Sequence, residues 1–235
     1  MVTQTPQRLA PAPEQIRLFH ITAIENLPSI MRRGALLAKN VAQREGAAYA
    51  NIAHAGAQGS RSRKLMPNPP GGQLHDYVPF YFAPRSPMLM AIHGGKVAGC
   101  AFKQDEIVHF ETTVANVLTS GQAHVIFDRN ATLDYSKAYT DVRHLSAVAW
   151  DLLHETPQLD GFCKYFQNRR DDLRYVDRME RRQAEFLTHT AVPLHCFTRI
   201  GVCTEAAAHR VRDILVAAGV RLHVEVCPQW YFLGQ

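Results

Sequence analysis

Glu185 lies in the stretch RRQAEFLTHTAV, residues 181–192, directly before Phe186 and Leu187, where the apolar pattern turns the chain inward. A carboxylate drawn into a core is costly unless something holds it there. Two readings suit it: an ion-pair partner of Arg181 or Arg182 at a helix end, or a group fixed in place for a ligand. A second feature is LFHIT, in which alternation sets His20 and Thr22 on one face of a strand. An imidazole beside a hydroxyl can donate and accept hydrogen bonds, either to a polar ligand or to an interior carbonyl. The third is GSRSRK, a cation-dense run holding Arg61 and Arg63, which taken alone reads as a solvated basic loop. The twelve histidines are scattered, with no HExxH and no pair at ligand spacing beside a cysteine, so no metal is expected.

The elements that must position these residues belong to a chain of 235 residues, 46% hydrophobic, large enough for one domain with a substantial core. The net charge of +5 is mild; it favours a polyanionic partner without requiring one. Five cysteines, an odd number without a CxxC pair, argue against a disulfide framework and for a reducing compartment. The polar start MVTQTPQRLAPAPEQ has no signal-peptide core, and no stretch reaches the roughly 18 apolar residues of a membrane helix. A cytoplasmic protein with no membrane partner is the expectation.

Residues 1–15 read as a flexible lead. IRLFHIT predicts a strand and AIENLPSIMRRGALLA a helix closed at Gly34. From Asn40 to Gly72 the chain is rich in Ala, Gly, Asn, Ser, Arg and Pro, and reads as one long loop. DYVPFYFAP predicts a strand, RSPMLMAIHGG a short helix, EIVHFETTVANVLTSG a strand then a helix, and HVIFDRNATL a further strand. DVRHLSAVAWDLLHE reads as a helix, and DLRYVDRMERRQAEFL as a helix to about Gln183 that gives way to a strand. FTRIGVCT, the helix EAAAHRVRDILVAAG and a terminal strand LHVEVCPQWYF complete an α+β chain without internal repeats.

The ordered series FHIT, NLPSI, PNPPGG, HDYVPFYF, PRSPML and RQAEFL, spread from about Phe19 to Trp230, resembles the DarT family of toxin ADP-ribosyltransferases. Members of that family take NAD and transfer its ADP-ribose to a DNA base. The resemblance implies an ADP-ribosyltransferase-like α+β fold: mixed or split central β-sheets flanked by helices, in a single domain over residues 16–235. Within it, 42–64 would be the NAD-binding loop and 129–185 the target-recognition region. NAD would enter as co-substrate, with contacts at His20, Ile21, Thr22, Ser29, Leu37 and Arg61. The resemblance places the family's catalytic arginine six residues before the proline that opens PNPPGG; counting back from Pro67 reaches Arg61, with Arg63 as competitor.

Under that resemblance Glu185 has a defined task. Breaking the bond from nicotinamide to ribose builds positive charge on the ribose carbon, as in glycoside cleavage. A fixed carboxylate stabilises charge that exists only during reaction. Arginine is an implausible base because its pKa is above about 12, so the acceptor's proton is assigned to Glu185 with Arg61 polarising the base. A base paired in a duplex is hidden, so the acceptor is single-stranded DNA, with thymine expected and guanine, RNA or protein as alternatives. Single-strand grooves combine cations with stacking rings. Arg85, Arg169, Arg170, Arg174 and Arg178, with Tyr165 and Phe166, have that composition, although RRDDLRYVDRMERR mixes both signs and equally reads as a solvated helix face. The family further implies a macrodomain antitoxin as partner. An inactive nucleic-acid-binding homologue is disfavoured by the presence of both Arg61 and Glu185.

Overall fold

The computed structural model describes residues 10–47, 49–53, 55–155 and 167–232. The run RLFHITA forms β1 (Arg17–Ala23), with Leu18, His20 and Thr22 on one face and Phe19, Ile21 and Ala23 on the other. It pairs antiparallel with β4 (Ile107–Thr113) along its whole length, from Arg17 opposite Thr113 to Ala23 opposite Ile107. On its other side it meets β3 (Tyr77–Tyr81) at one register pair, Phe19 with Tyr81. Beyond β3 lie β7 (Glu185–His189), β5 (His124–Phe127) and β6 (Ala138–Tyr139); beyond β4 lie β9 (Arg199–Val202) and β10 (Val224–Val226). The order β10-β9-β4-β1-β3-β7-β5-β6 is therefore one mixed sheet split into two halves that touch at Phe19 and Tyr81. A separate ribbon pairs β2 (Ala35–Leu37) with β8 (Ala191–Pro193).

Parallel β9 and β10 need a crossover, which α8 (Glu205–Ala217) supplies. Thr204 Oγ1 accepts from the Ala207 N–H at 3.2 Å and caps it. Its buried stripe, Ala207, Ala208, Val211 and Leu215, keeps helical spacing. That stripe shares one core with Leu18, Phe80, Phe110 and Phe186 of the sheet and with Leu27 and Met31 of α1 (Leu27–Arg33). Gly34, at φ 66°, ends α1 in the left-handed region, which costs glycine nothing. The opposite sheet face, through Phe19, Ile21 and Ile107, packs with Leu89 and Ile92 of α4 (Pro87–His93) and with Trp230, Tyr231 and Phe232. Each such large side chain stabilises the fold by about 1.5–3 kcal/mol when fully buried.

The C-terminal segment is strapped down by polar contacts as well. The Tyr231 hydroxyl donates to the Ile107 carbonyl at 2.8 Å, and Gln104 exchanges two 3.0 Å hydrogen bonds with the Phe232 backbone. The guanidinium groups of Arg17 and Arg199 approach Trp230, 5.3 and 5.1 Å from its ring centre. Both arginines pair with buried Glu111 on β4.

Four expectations are corrected. The segment 40–72 is not one irregular loop: α2 (Lys39–Arg44) and α3 (Ala55–Arg63) occupy much of its first part, whereas α5 (Val114–Leu118) is the helix expected after EIVHFETT. The helix expected in DVRHLSAVAWDLLHE breaks at Val148 into a 3₁₀ turn, Val142–Ala147, and the short α6 (Trp150–Leu153). Of DLRYVDRMERRQ only α7 (Arg178–Arg181) is helical, because Asp172 bonds the Arg174 N–H at 2.9 Å and turns the backbone locally. The terminal strand is only three residues, Val224–Val226, before Pro228 opens a 3₁₀ turn. Tyr165, Phe166 and residues 1–9 of the expected lead lie outside the described residues.

A Cβ on Gly201 of β9 would stand 2.0 Å from Trp230 Cζ3, so the strap requires glycine there. Gly201→Ala should cost about 1–3 kcal/mol or more in denaturant unfolding, as overpacking does, and should lift Trp230 off the sheet, read as a red-shifted tryptophan emission. An unfolding midpoint equal to that of the parent would contradict this packing.

Candidate active site

Glu185 is the first residue of β7 and is only 2% exposed, between Tyr81 of β3 and Phe127 of β5. Arg61, from the last turn of α3, holds it: Nη1 donates to both carboxylate oxygens, at 3.1 and 2.9 Å. The Ala131 N–H, in the turn after β5, adds a bond of 3.2 Å to Oε1. Charge-assisted bonds of this kind offset the desolvation of a buried carboxylate. Arg181 pairs instead with Asp177, and Arg182 donates to the Leu152 carbonyl, so neither neighbour explains Glu185. Arg61 rather than Arg63 reaches the carboxylate. Its helix is tied at its end, where Lys64 Nζ donates to the Leu133 carbonyl at 3.1 Å and the Lys64 carbonyl accepts from the Leu74 N–H at 3.0 Å.

Two cavities meet at Arg61, and Glu185 lines the second. The first, about 770 Å³ with its open mouth, contains Thr22, Ser29, Leu37, Lys39 and His75 in its wall. The second, about 1060 Å³ and open, has Ile21, Tyr81, Met88, Asn130, Gln183 and Glu185. His20, Tyr49, Gln58, Arg61 and Pro79 border both. His20 Nδ1 lies 2.8 Å from the Pro79 carbonyl and must donate to it, which leaves Nε2 as an acceptor for a ligand. Burial holds the His20 imidazole neutral, with its pKa pulled down to about 4. The Tyr81 hydroxyl is pushed up, chiefly by burial and then by the Glu185 charge.

The residues marked in the sequence therefore divide. His20, Ile21, Thr22, Ser29, Leu37, Arg61 and Glu185 all border one cleft. The expected DNA contacts do not: Arg85 donates through Nε to the Tyr231 carbonyl at 2.9 Å and ties down the C-terminal segment. Arg169 pairs with Asp171 at 2.8 Å, and Arg174 with Glu155 at 2.8 Å and Asp151 at 3.6 Å, all on an exposed surface. Arg170 is exposed and has no ion pair among the described residues. Arg178 is buried, donating to the Gln167 carbonyl and stacking on Tyr175. Asn26 escaped sequence reading: its amide donates to Thr22 Oγ1 at 2.9 Å and clamps Ala50 through both its N–H and its carbonyl. Its place in NLPSI, four residues after Thr22, was the available signal. Tyr81 could have been found by alternation from Pro79, whereas Lys39, Gln58 and His75 carry no local signature. Among the described residues no three His, Cys, Asp or Glu side chains converge as a metal site.

Comparison with known proteins bears on this cleft. A family model described as "ssDNA thymidine ADP-ribosyltransferase, DarT" matches residues 19–232. A DNA ADP-ribosyl transferase of Thermus sp. (strain 2.9) is 34% identical over 222 residues, covering 94% of this chain and 98% of the relative. One from Escherichia coli is 29% identical over 220 residues, covering 94% and 95%. The Thermus sp. 2.9 DarT solved in complex with ADP-ribosylated ssDNA superposes with a TM-score of 0.82 at 32% identity, over 96% of this chain and 99% of that one. The same protein in complex with NAD+ gives 0.79 at 31% identity, over 95% and 100%.

Three histidines give the cleft and its supporting core an acid limit. His20, His75 and His109 are each lowered from 6.5 to about 4, in every case chiefly by burial. Between pH 6.5 and 4 the unfolded chain binds protons that the folded chain does not, so stability present above 6.5 is lost on acidification. The unfolding free energy should fall through that window by about 1.4 kcal/mol per pH unit for each proton taken up, with as many as three protons involved. Urea titrations across pH 4 to 7 measure it; a flat profile would contradict the neutral imidazoles.

Proposed function

The chain belongs to the DarT family of single-stranded-DNA thymidine ADP-ribosyltransferases, and from that membership we propose that it transfers one ADP-ribose from NAD to thymine in single-stranded DNA. The observation that carries this reading is the buried Glu185, held by Arg61 where two cavities meet. NAD occupies the cleft as co-substrate, with His20, Ile21 and Thr22 along the nicotinamide and its ribose and Ser29 and Leu37 lining the remainder. The neutral His20 suits this role, since an imidazolium would repel the cationic nicotinamide ring.

The reaction then follows from charge. The bond from ribose carbon to nicotinamide nitrogen breaks, and its electron pair leaves with the ring, which becomes neutral. Positive charge passes to the ribose carbon, next to the Glu185 carboxylate, in a pocket where little water screens it. The thymine ring nitrogen forms the new bond with its lone pair and gives up its proton. Glu185 receives that proton while Arg61, swung off the carboxylate, polarises the base. Arg61 stays protonated throughout.

The second cavity, with Asn130 and Gln183 from the region 129–185, is the natural seat for the acceptor base. Phosphates would follow Arg85, Arg169, Arg170 and Arg174. The pairs that now engage Arg169 and Arg174 are about half exposed, and surface pairs are worth about 0–1 kcal/mol, so exchange for phosphate is cheap. No described helix is long and apolar enough to cross a membrane; a cytoplasmic toxin, countered by a macrodomain antitoxin, fits the family.

Incubation with labelled NAD and a panel of single-stranded oligonucleotides, RNA and protein, followed by mass measurement, tests the assignment. Thymine-containing DNA should gain one ADP-ribose; modification confined to guanine, RNA or protein would redirect the acceptor. Glu185→Ala should lower turnover by roughly 10² to 10³, the size of a lost transition-state contact, with NAD affinity held within a few-fold. Arg61→Ala should be comparably harmful and Arg63→Ala mild. Near-normal turnover in the Glu185 variant would remove the carboxylate from the mechanism.

A further inference from the structure

The first cavity is electrically one-sided. Arg33, Lys39 and Arg61 reach its wall, and among the described residues no Asp or Glu lines it. Two of these cations are matched from outside the cavity, Arg61 by Glu185 at 2.9 Å and Arg33 by Glu45 at 3.3 Å. Lys39 makes no ion pair among the described residues; its ammonium donates to the neutral side-chain oxygen of Gln58, which borders the same cavity. A half-buried ammonium without a counter-ion is costly, and an amide dipole repays that cost only in part.

Neighbouring groups register the same positive field. Burial and then the Arg61 charge pull the Lys39 ammonium down. The His75 imidazole is pulled down to about 4 by burial, then by Lys39, then by Arg61. His75 Nε2 is buried without a hydrogen-bond partner among the described residues. The backbone beneath Lys39 is fixed. Leu36 opposes Val192 in the β2–β8 ribbon, the Ala38 N–H donates to the Thr190 carbonyl at 2.7 Å, and Asn40 donates to Asp76 at 2.8 Å. The ammonium is thus presented to the cavity by a rigid junction rather than by a loop.

We propose that Lys39 is the diphosphate-binding residue of the donor site, its ammonium meeting the negative charge on the bridging phosphates of a nucleoside diphosphate ligand. This rests on the reading of the cleft as the NAD site. Gln58 holds the ammonium in line until the phosphates arrive. In the resting cleft Arg61 is paired with Glu185 and Arg33 with Glu45, so Lys39 is the wall cation that meets the ligand without first giving up an ion pair.

Binding of ADP-ribose and of adenosine to the wild type, Lys39→Gln and Lys39→Arg, measured by calorimetry on protein whose folding is checked by circular dichroism, tests this. ADP-ribose affinity should fall about tenfold to a hundredfold in Lys39→Gln, as for a lost charge-assisted bond, while adenosine affinity is unchanged. Lys39→Arg should restore most of it, the KM for NAD should track these losses with kcat nearly constant, and raised salt should weaken ADP-ribose binding less in Lys39→Gln than in the wild type. Should Lys39→Gln misfold, Lys39→Met serves as the second neutral variant. Equal ADP-ribose affinity in a folded neutral variant and the wild type would overturn the assignment of Lys39 alone. A wild type that binds no ADP-ribose would overturn the reading of the cleft as well.

Discussion

A proline decides where this sheet opens. In an antiparallel ladder the N–H and C=O of one residue point to the same neighbour, and the Pro79 carbonyl faces β1, where it accepts from His20. The Pro79 nitrogen therefore faces β1 too, without a proton to donate. Two residues beyond the Phe19–Tyr81 pair, the same register would set Pro79 opposite Ile21, and the ladder cannot continue there. The Pro79 carbonyl, left without a ladder partner, accepts from the His20 imidazole instead. The gap that results is the cleft, and His20, Ile21 and Thr22 border it because they lie on the stretch of β1 that lost its partner.

The two halves of the sheet bring different parts to that gap. β7 carries Glu185 at its first residue, so the carboxylate emerges at the strand end against the turn that presents the Ala131 N–H. Arg61 comes from a helix with almost no apolar stripe, anchored to the same half through Lys64, Leu133 and Leu74. Asn26 anchors the segment around Ala50 to the β1 half. A ligand that spans the cleft touches groups fixed to each half. Breaking the Arg61–Glu185 pair without such a ligand would leave a buried carboxylate with one backbone bond, a costly state.

Much of this was legible in the sequence, and the failures have physical causes. RLFHITA and EIVHFETT are β-prone runs that the sheet buries on both faces, and EAAAHRVRDILVAAG carries a period of 3.6 that its buried stripe follows. The run AGAQGSRSR has no such period; α3 exists through tertiary anchors, so only the PPGG spacing pointed to Arg61. DLRYVDRMERR has helical spacing, yet Asp172 and Arg178 spend their side chains on backbone groups nearby and the turns win. Lys39 and His75 became visible only once α2 and the turn before β3 faced the same cavity.

The far side of the molecule explains why the split does not spread. β1 and β4 share seven register pairs, and Glu111 in β4 draws Arg17 from β1 and Arg199 from β9 together beside Trp230. The Tyr231 hydroxyl bonds the Ile107 and Gly201 carbonyls, at 2.8 and 3.2 Å, stitching β4 to β9 from below. A half-sheet clamped this way cannot slide along β1 to seek a new register against β3. Because a slip of one residue would turn His20 and Thr22 away from the cleft, the C-terminal strap, remote from Glu185, helps to keep the donor site in line with it.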